Sequence, residues 1–109
     1  MAWRKASQHM LRISIEETVE ELEMKLEGRV AGPWAAELSL VWVETAPRLA
    51  SRKLVIDLSS VTYADAGGTQ LLGQIYAQTR AELLAGTLWT QSLAEQITRD
   101  GAHQGNEEL

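Results

Sequence analysis

Leu54-Val55-Ile56-Asp57-Leu58, followed after Ser59-Ser60-Val61-Thr62 by Tyr63-Ala64-Asp65-Ala66-Gly67-Gly68-Thr69, decides the fold of this chain. The first stretch is an apolar run broken only by Asp57, the pattern of a strand covered on both faces in an α/β layer. Residues 62–69 then read as a loop at the strand's carboxyl end. Leu71, Leu72, Ile75, Tyr76 and Thr79 give the apolar face of the helix that the loop feeds. A strand that passes its chain to a helix through a glycine-containing turn is a building unit of layered α/β domains.

Upstream, Leu11, Ile13 and Ile15 alternate with Arg12, Ser14 and Glu16, and Leu22, Met24 and Leu26 alternate with Glu23, Lys25 and Glu27. Two half-buried strands joined through the polar residues 16–21 predict an antiparallel hairpin, with Gly28 at its end. Gly32-Pro33 announces a helix, because proline is preorganised for the first helical turn. Its face is Trp34, Leu38, Val41, Trp42 and Thr45, running to about Ala46, and Pro47 is its expected stop. Downstream, residues 81–85 suit another short strand. Thr87 is placed to cap a third helix carrying Trp89, Leu93 and Ile97, with Gly101 as its stop. The predicted fold class is α/β, a mixed sheet of about four strands against about three helices in the order β-β-α-β-α-β-α.

At 109 residues the chain fits one core. Residues 1–10 show no period and residues 102–109 are polar and acidic, so both read as disordered flanks of a single domain spanning 11–101. His9 and His103 fall in those flanks and are poor candidates for a base or ligand. The net charge of -5, with no Lys/Arg cluster larger than Arg4-Lys5 or Arg52-Lys53, argues against a nucleic-acid partner. No apolar run approaches the roughly 20 residues a bilayer span needs, and the first ten residues lack a secretory stretch. A cytoplasmic location without direct membrane insertion is expected. The chain has no cysteine, which removes disulfide, thiol and cysteine-ligated metal chemistry.

Asp57 and Asp65 invite comparison with a paired carboxylate site that binds a divalent cation or shares a proton. The plainer reading has each accept backbone N–H bonds from the turn that follows it. Gly67-Gly68-Thr69 at a helix start is similar to a phosphate-cradling loop, yet it lacks the P-loop lysine and the fuller Gly-x-Gly-x-x-Gly pattern. A small nucleotide-binding domain or enzyme using Asp65, Gly67 and Gly68 is the alternative from a different functional class. Otherwise no catalytic inventory, metal or cofactor is called for. Trp34, Trp42 and Trp89 sit on helical faces that predict burial, with Trp34 a candidate interface anchor should it be exposed.

The segment Lys53-Leu54-Val55-Ile56-Asp57-Leu58-Ser59-Ser60-Val61-Thr62-Tyr63-Ala64-Asp65-Ala66-Gly67-Gly68 resembles the signature of STAS domains, as found in bacterial anti-sigma factor antagonists: a buried strand ending Asp-Leu-Ser, an aromatic position, then Asp-Ser-Ser-Gly opening a helix. Leu26-Glu27-Gly28-Arg29-Val30 looks like the family's second strand, and the similarity covers roughly residues 11–100. The resemblance implies a non-enzymatic protein-interaction module that docks another protein through Tyr63, Asp65, Ala66, Gly67, Gly68 and Thr69. The family's phosphoacceptor serine falls at Ala66, and the serine after it at Gly67, so the phosphorylation switch is absent here. A phosphate there would add nearly two negative charges to the partner surface, which is how the family breaks its complex. Ser59, Ser60, Thr62 and Thr69 remain as alternative phosphosites, although the first three suit a strand-exit turn and Thr69 a helix cap. The implied partner is an anti-sigma kinase-like protein, a stressosome-type scaffold, or a subunit of an ABC-type lipid transport system to which this chain would be a cytoplasmic accessory. A homodimer is a further option if a sheet edge or apolar helix face stays open.

Overall fold

The computed structural model describes residues 2–4 and 11–105, and the side chains of residues 11–101. Its elements are β1 (Ala2–Arg4), β2 (Leu11–Glu17), β3 (Glu21–Val30), α1 (Gly32–Leu49), β4 (Lys53–Ala64), α2 (Ala66–Thr79), β5 (Glu82–Leu84) and α3 (Leu88–Gly105). From β2 onward this is the predicted order of four strands and three helices. The strands lie side by side in the order β1-β2-β3-β4-β5. β1 and β3 flank β2 antiparallel, while β3, β4 and β5 run parallel.

The alternating runs form the hairpin their pattern requires, with Ile13 opposite Leu26 and Ile15 opposite Met24. Thr18 closes it: its Oγ1 accepts the N–H of Glu20 at 3.3 Å and of Glu21 at 3.1 Å. Leu11, Ile13 and Ile15, Leu22, Met24 and Leu26, and Leu54, Ile56, Leu58 and Val61 are all buried. Against them pack Leu38, Val41 and Trp42 of α1, Leu72 and Ile75 of α2, and Leu93 and Ile97 of α3. Each such side chain withdrawn from water is worth about 1.5–3 kcal/mol, so this one-sided layer carries the stability of the domain.

Several expectations are corrected. β4 was expected to be covered on both faces, but the face opposite the helices carries Arg12, Ser14, Glu16, Glu23, Lys25, Glu27 and Asp57 at partial or full exposure. The apolar run misled because Val55, on that face, is buried between its strand neighbours Glu23 and Glu82. Residues 2–4, assigned to a disordered flank, form the short edge strand β1; three residues show no period, and their order comes from pairing with Ile13–Ile15. Residues 1, 5–10 and 106–109, including His9, lie outside the described residues. Pro47 lies inside α1, two residues before its end. The carbonyl its missing N–H cannot serve belongs to the exposed Val43, where water can replace the bond.

Gly101 is no stop either, for α3 continues to Gly105 through part of the expected tail, His103 included. Gly101 is buried against α2, and a Cβ there would lie 2.9 Å from the Gly73 carbonyl oxygen. It is a glycine because two helices touch. Thr87 does cap α3, its Oγ1 accepting the Thr90 N–H at 3.0 Å. Buried Thr90 replaces Trp89 on the inner face, and Trp89 is exposed, contrary to expectation. Trp42 is buried as expected and Trp34 half-buried. Among the described residues no helix is long and apolar enough to cross a membrane.

Candidate functional site

β3 and β4 are parallel neighbours whose ends coincide, Val30 pairing with Ala64. α1 and α2 therefore start side by side at one end of the sheet, and Asp65 sits between the two starts. As N-cap of α2, its Oδ1 accepts the Gly68 N–H at 2.7 Å; its Oδ2 accepts the Gly32 N–H of α1 at 3.0 Å. Ala31, the N-cap of α1, offers no side-chain acceptor, so one carboxylate serves two helices. Those donors, Gly68 first and then Gly32, hold the Asp65 carboxyl below the usual carboxylate range.

The sequence reading that Asp65 accepts backbone N–H bonds holds, but its reach to Gly32, 33 residues away, was not foreseeable. Asp57 likewise accepts from Ser59, whose N–H and Oγ–H both donate to Asp57 Oδ1, at 2.9 and 2.6 Å. The two aspartates do not form a pair: the last seven residues of β4 lie between them, roughly 25 Å of extended chain. Among the described residues no group of three metal-ligating side chains comes together.

β4 spends two more residues than β3 over their common length. The register slips once between Lys25 and Glu27 and again between Gly28 and Arg29. Each slip is a bulge that inverts the in-out alternation beyond it. Without the second, Tyr63, two residues after buried Val61, would turn inward. With it, Tyr63 stands 42% exposed and Ala64 turns toward the core. Arg29, the strand partner of Tyr63, lies over the ring with its guanidinium carbon 4.6 Å from the centroid. This stacking contributes about 0.5–1 kcal/mol at an exposed site and fixes the ring's direction. Arg29 was missed by sequence reasoning because Gly28 was read as the end of the strand; β3 continues to Val30, and Gly28, at φ 106°, stands at the slip that brings Arg29 to Tyr63.

Ala66 and Gly67 are exposed at the tip of α2. Gly68 is buried: a Cβ there would lie 2.0 Å from the Val30 carbonyl oxygen, so the helix start rests directly on β3. Thr69 is not the cap; its N–H donates to the Asp65 carbonyl oxygen at 2.9 Å as a bond of the first turn. Ser59, Ser60 and Thr62 are exposed but lie within β4 rather than in an exit turn, because the strand continues to Ala64. The tip thus gathers Tyr63, Ala66 and Gly67 with Arg29, held from beneath by Asp65 and Gly68.

Since Ala66 is exposed, Ala66→Ser is expected to change stability by no more than about 0.5 kcal/mol. Urea unfolding of the two proteins checks this; a clear loss would mean that the side chain at 66 is packed rather than presented. No protein-family model matches this chain, and no curated protein matches it either.

Proposed function

We propose that this chain is a non-enzymatic, cytoplasmic protein-interaction module of the STAS type, an anti-sigma factor antagonist-like regulator whose phosphoacceptor position is occupied by Ala66. The observation that carries this reading is the tip of α2, where an exposed aromatic ring, a cation and an exposed helix start lie on a rigid base. Aromatic and arginine side chains fixed in this way are the usual anchors of protein interfaces. With alanine at 66 and glycine at 67 the docking surface carries no switch at these positions, so binding is constitutive or controlled elsewhere. The same module would also suit an accessory subunit of an ABC-type lipid transporter or a scaffold assembly.

The nucleotide-binding alternative is disfavoured by the direction of the donors. The Gly68 and Gly32 N–H groups are taken by Asp65, and its carboxylate stands where a phosphate would have to sit. Magnesium nucleotides are expected to give no calorimetric heat; binding that disappears in Asp65→Asn would replace the present reading with that one.

The direct test uses the whole chain as bait in extracts of its native host. A protein partner retained by the wild type should be lost from Tyr63→Ala and from Ala66→Asp, the latter placing a negative charge where the family's phosphate would stand. Retention of the same partner by both folded variants, or capture of none by the wild type, would sink the proposal. A kinase gene beside this one would favour sigma-factor regulation, and permease genes a transport role.

A further inference from the structure

Among the described residues Arg29 has no carboxylate partner, and its side chain is exposed. Its neighbours in the sheet are served: Arg12 and Lys25 meet Glu27, Arg48 and Arg52 meet Glu17, and Lys53 meets Glu82. The contact that Arg29 makes is with the Tyr63 ring. The acids nearest to it along the chain and beyond its strand partner are already committed. Glu27 holds Arg12 at 3.7 Å and Lys25 at 3.5 Å, and Asp65 gives both carboxylate oxygens to the Gly68 and Gly32 N–H groups. In a chain of 15 acids and 10 bases, this guanidinium does not lack a carboxylate for want of acids.

The stacking leaves the useful part of the group free. A guanidinium is planar, so laid over a ring it spends its face on the π-system, while its N–H donors point outward in its own plane. Those donors match the two oxygens of a carboxylate in a bidentate pair. The ring also fixes the direction of the fork, which lowers the ordering cost of forming that pair. Charge chooses the occupant. A polyphosphate such as a nucleic acid spans many charges and would meet the surrounding acids of a chain with net charge -5, whereas a single carboxylate reaches Arg29 alone.

We infer that Arg29 is the specificity-determining residue of the α2 tip and takes an Asp or Glu carboxylate on an exposed segment of the partner protein, with Tyr63 packing against the apolar part of the same segment. The inference rests on the tip being the docking surface and adds the chemistry of what docks there.

The probe is a phage-displayed library of random dodecapeptides, panned in parallel on the immobilised full chain and on Arg29→Gln. Enriched peptides are expected to carry Asp or Glu, and their enrichment to disappear on the variant, whose circular dichroism spectrum should be unchanged. A selected peptide is then synthesised with a fluorescent label and titrated by anisotropy. Changing its acids to the matching amides, or Arg29 to Gln, is expected to weaken binding at least about tenfold, the scale of one lost charge-assisted hydrogen bond. Arg29→Lys, which keeps the charge without the planar fork, should restore only part of the affinity. Arg80→Gln is the matched control: it removes the same charge from an arginine stacked on Tyr76 at the other end of α2, and should leave binding unchanged.

Peptides that need Tyr63 but no acid, or acidic peptides that bind Arg29→Gln as well as wild type, overturn this inference and leave the docking surface standing. A library that yields no peptide, or peptides indifferent to Arg29→Gln, Tyr63→Ala and Ala66→Asp alike, would overturn both.

Discussion

One methyl group added at residue 68 is expected to cost the fold about 3 kcal/mol or more, lowering the urea midpoint by about 2 M for a domain of this size. The cause is backbone meeting backbone. A Cβ on Gly68 would stand 2.0 Å from the Val30 carbonyl oxygen and 2.9 Å from the carbonyl carbon, and neither can turn aside as a flexible side chain would. Relief requires α2 to lift from the end of β3, which loosens the Gly68–Asp65 bond and with it the alignment of both helix starts. Gly67→Ala is the matched control. Its Cβ would meet nothing nearer than Asp65 Oδ1 at 3.6 Å, and alanine is the better helix former, so a gain of about 0.5 kcal/mol is expected. Equal losses from the two alanines would show that close approach is not why residue 68 is glycine.

Asp65→Ala is expected to lower the urea midpoint clearly at neutral pH, since it leaves the Gly68 and Gly32 N–H groups without their acceptor at two helix starts. Asp65→Asn retains one acceptor oxygen and should fall between wild type and alanine. The effect also has a pH signature. The folded-state carboxyl titrates lower than the unfolded one, chiefly through the Gly68 and Gly32 hydrogen bonds. Its stabilisation is therefore complete above the unfolded value of about 3.9 and is lost as pH falls through the folded value.

The midpoint difference between wild type and Asp65→Ala should accordingly stay constant from about pH 7 to about pH 5 and shrink from about pH 4 downward. Glu23 slopes the other way. Burial, then Asp57, Glu16 and Glu21, push its carboxyl up, so stability from that group rises as pH falls, and only the difference between the two proteins isolates Asp65. A difference that does not change down to pH 3 would mean that the carboxylate is not what holds the two helix starts.

Much of this could be read from the chain alone, and the reason is local. The alternation at residues 11–16 and 22–27, the helical spacing of Leu38, Val41 and Thr45, the Thr87 cap and the acceptor roles of Asp57 and Asp65 all depend on neighbours within a few positions, where steric rules act without knowledge of the rest. Element order follows from the same signals. The errors fall where a distant segment decides. β1 exists only because β2 offers an edge to residues 2–4. Val55 is buried by strand neighbours rather than by a covering layer.

The candidate site divides in the same way. Position 66 and the glycines beside it were legible as a helix start, because turn residues and caps announce one locally. That Tyr63 faces outward, that Arg29 stacks upon it, and that Asp65 reaches the first N–H of α1 were set by the register between β3 and β4 and its two bulges. α1 shows both sides: the spacing of Leu38, Val41, Trp42 and Thr45 named its inner face correctly, although Ala36, Leu40, Val43 and Pro47 form a second stripe of the same period. Which one turned inward was decided by the sheet it packs on, since burial is a property of the assembled layers and not of the helix that enters them.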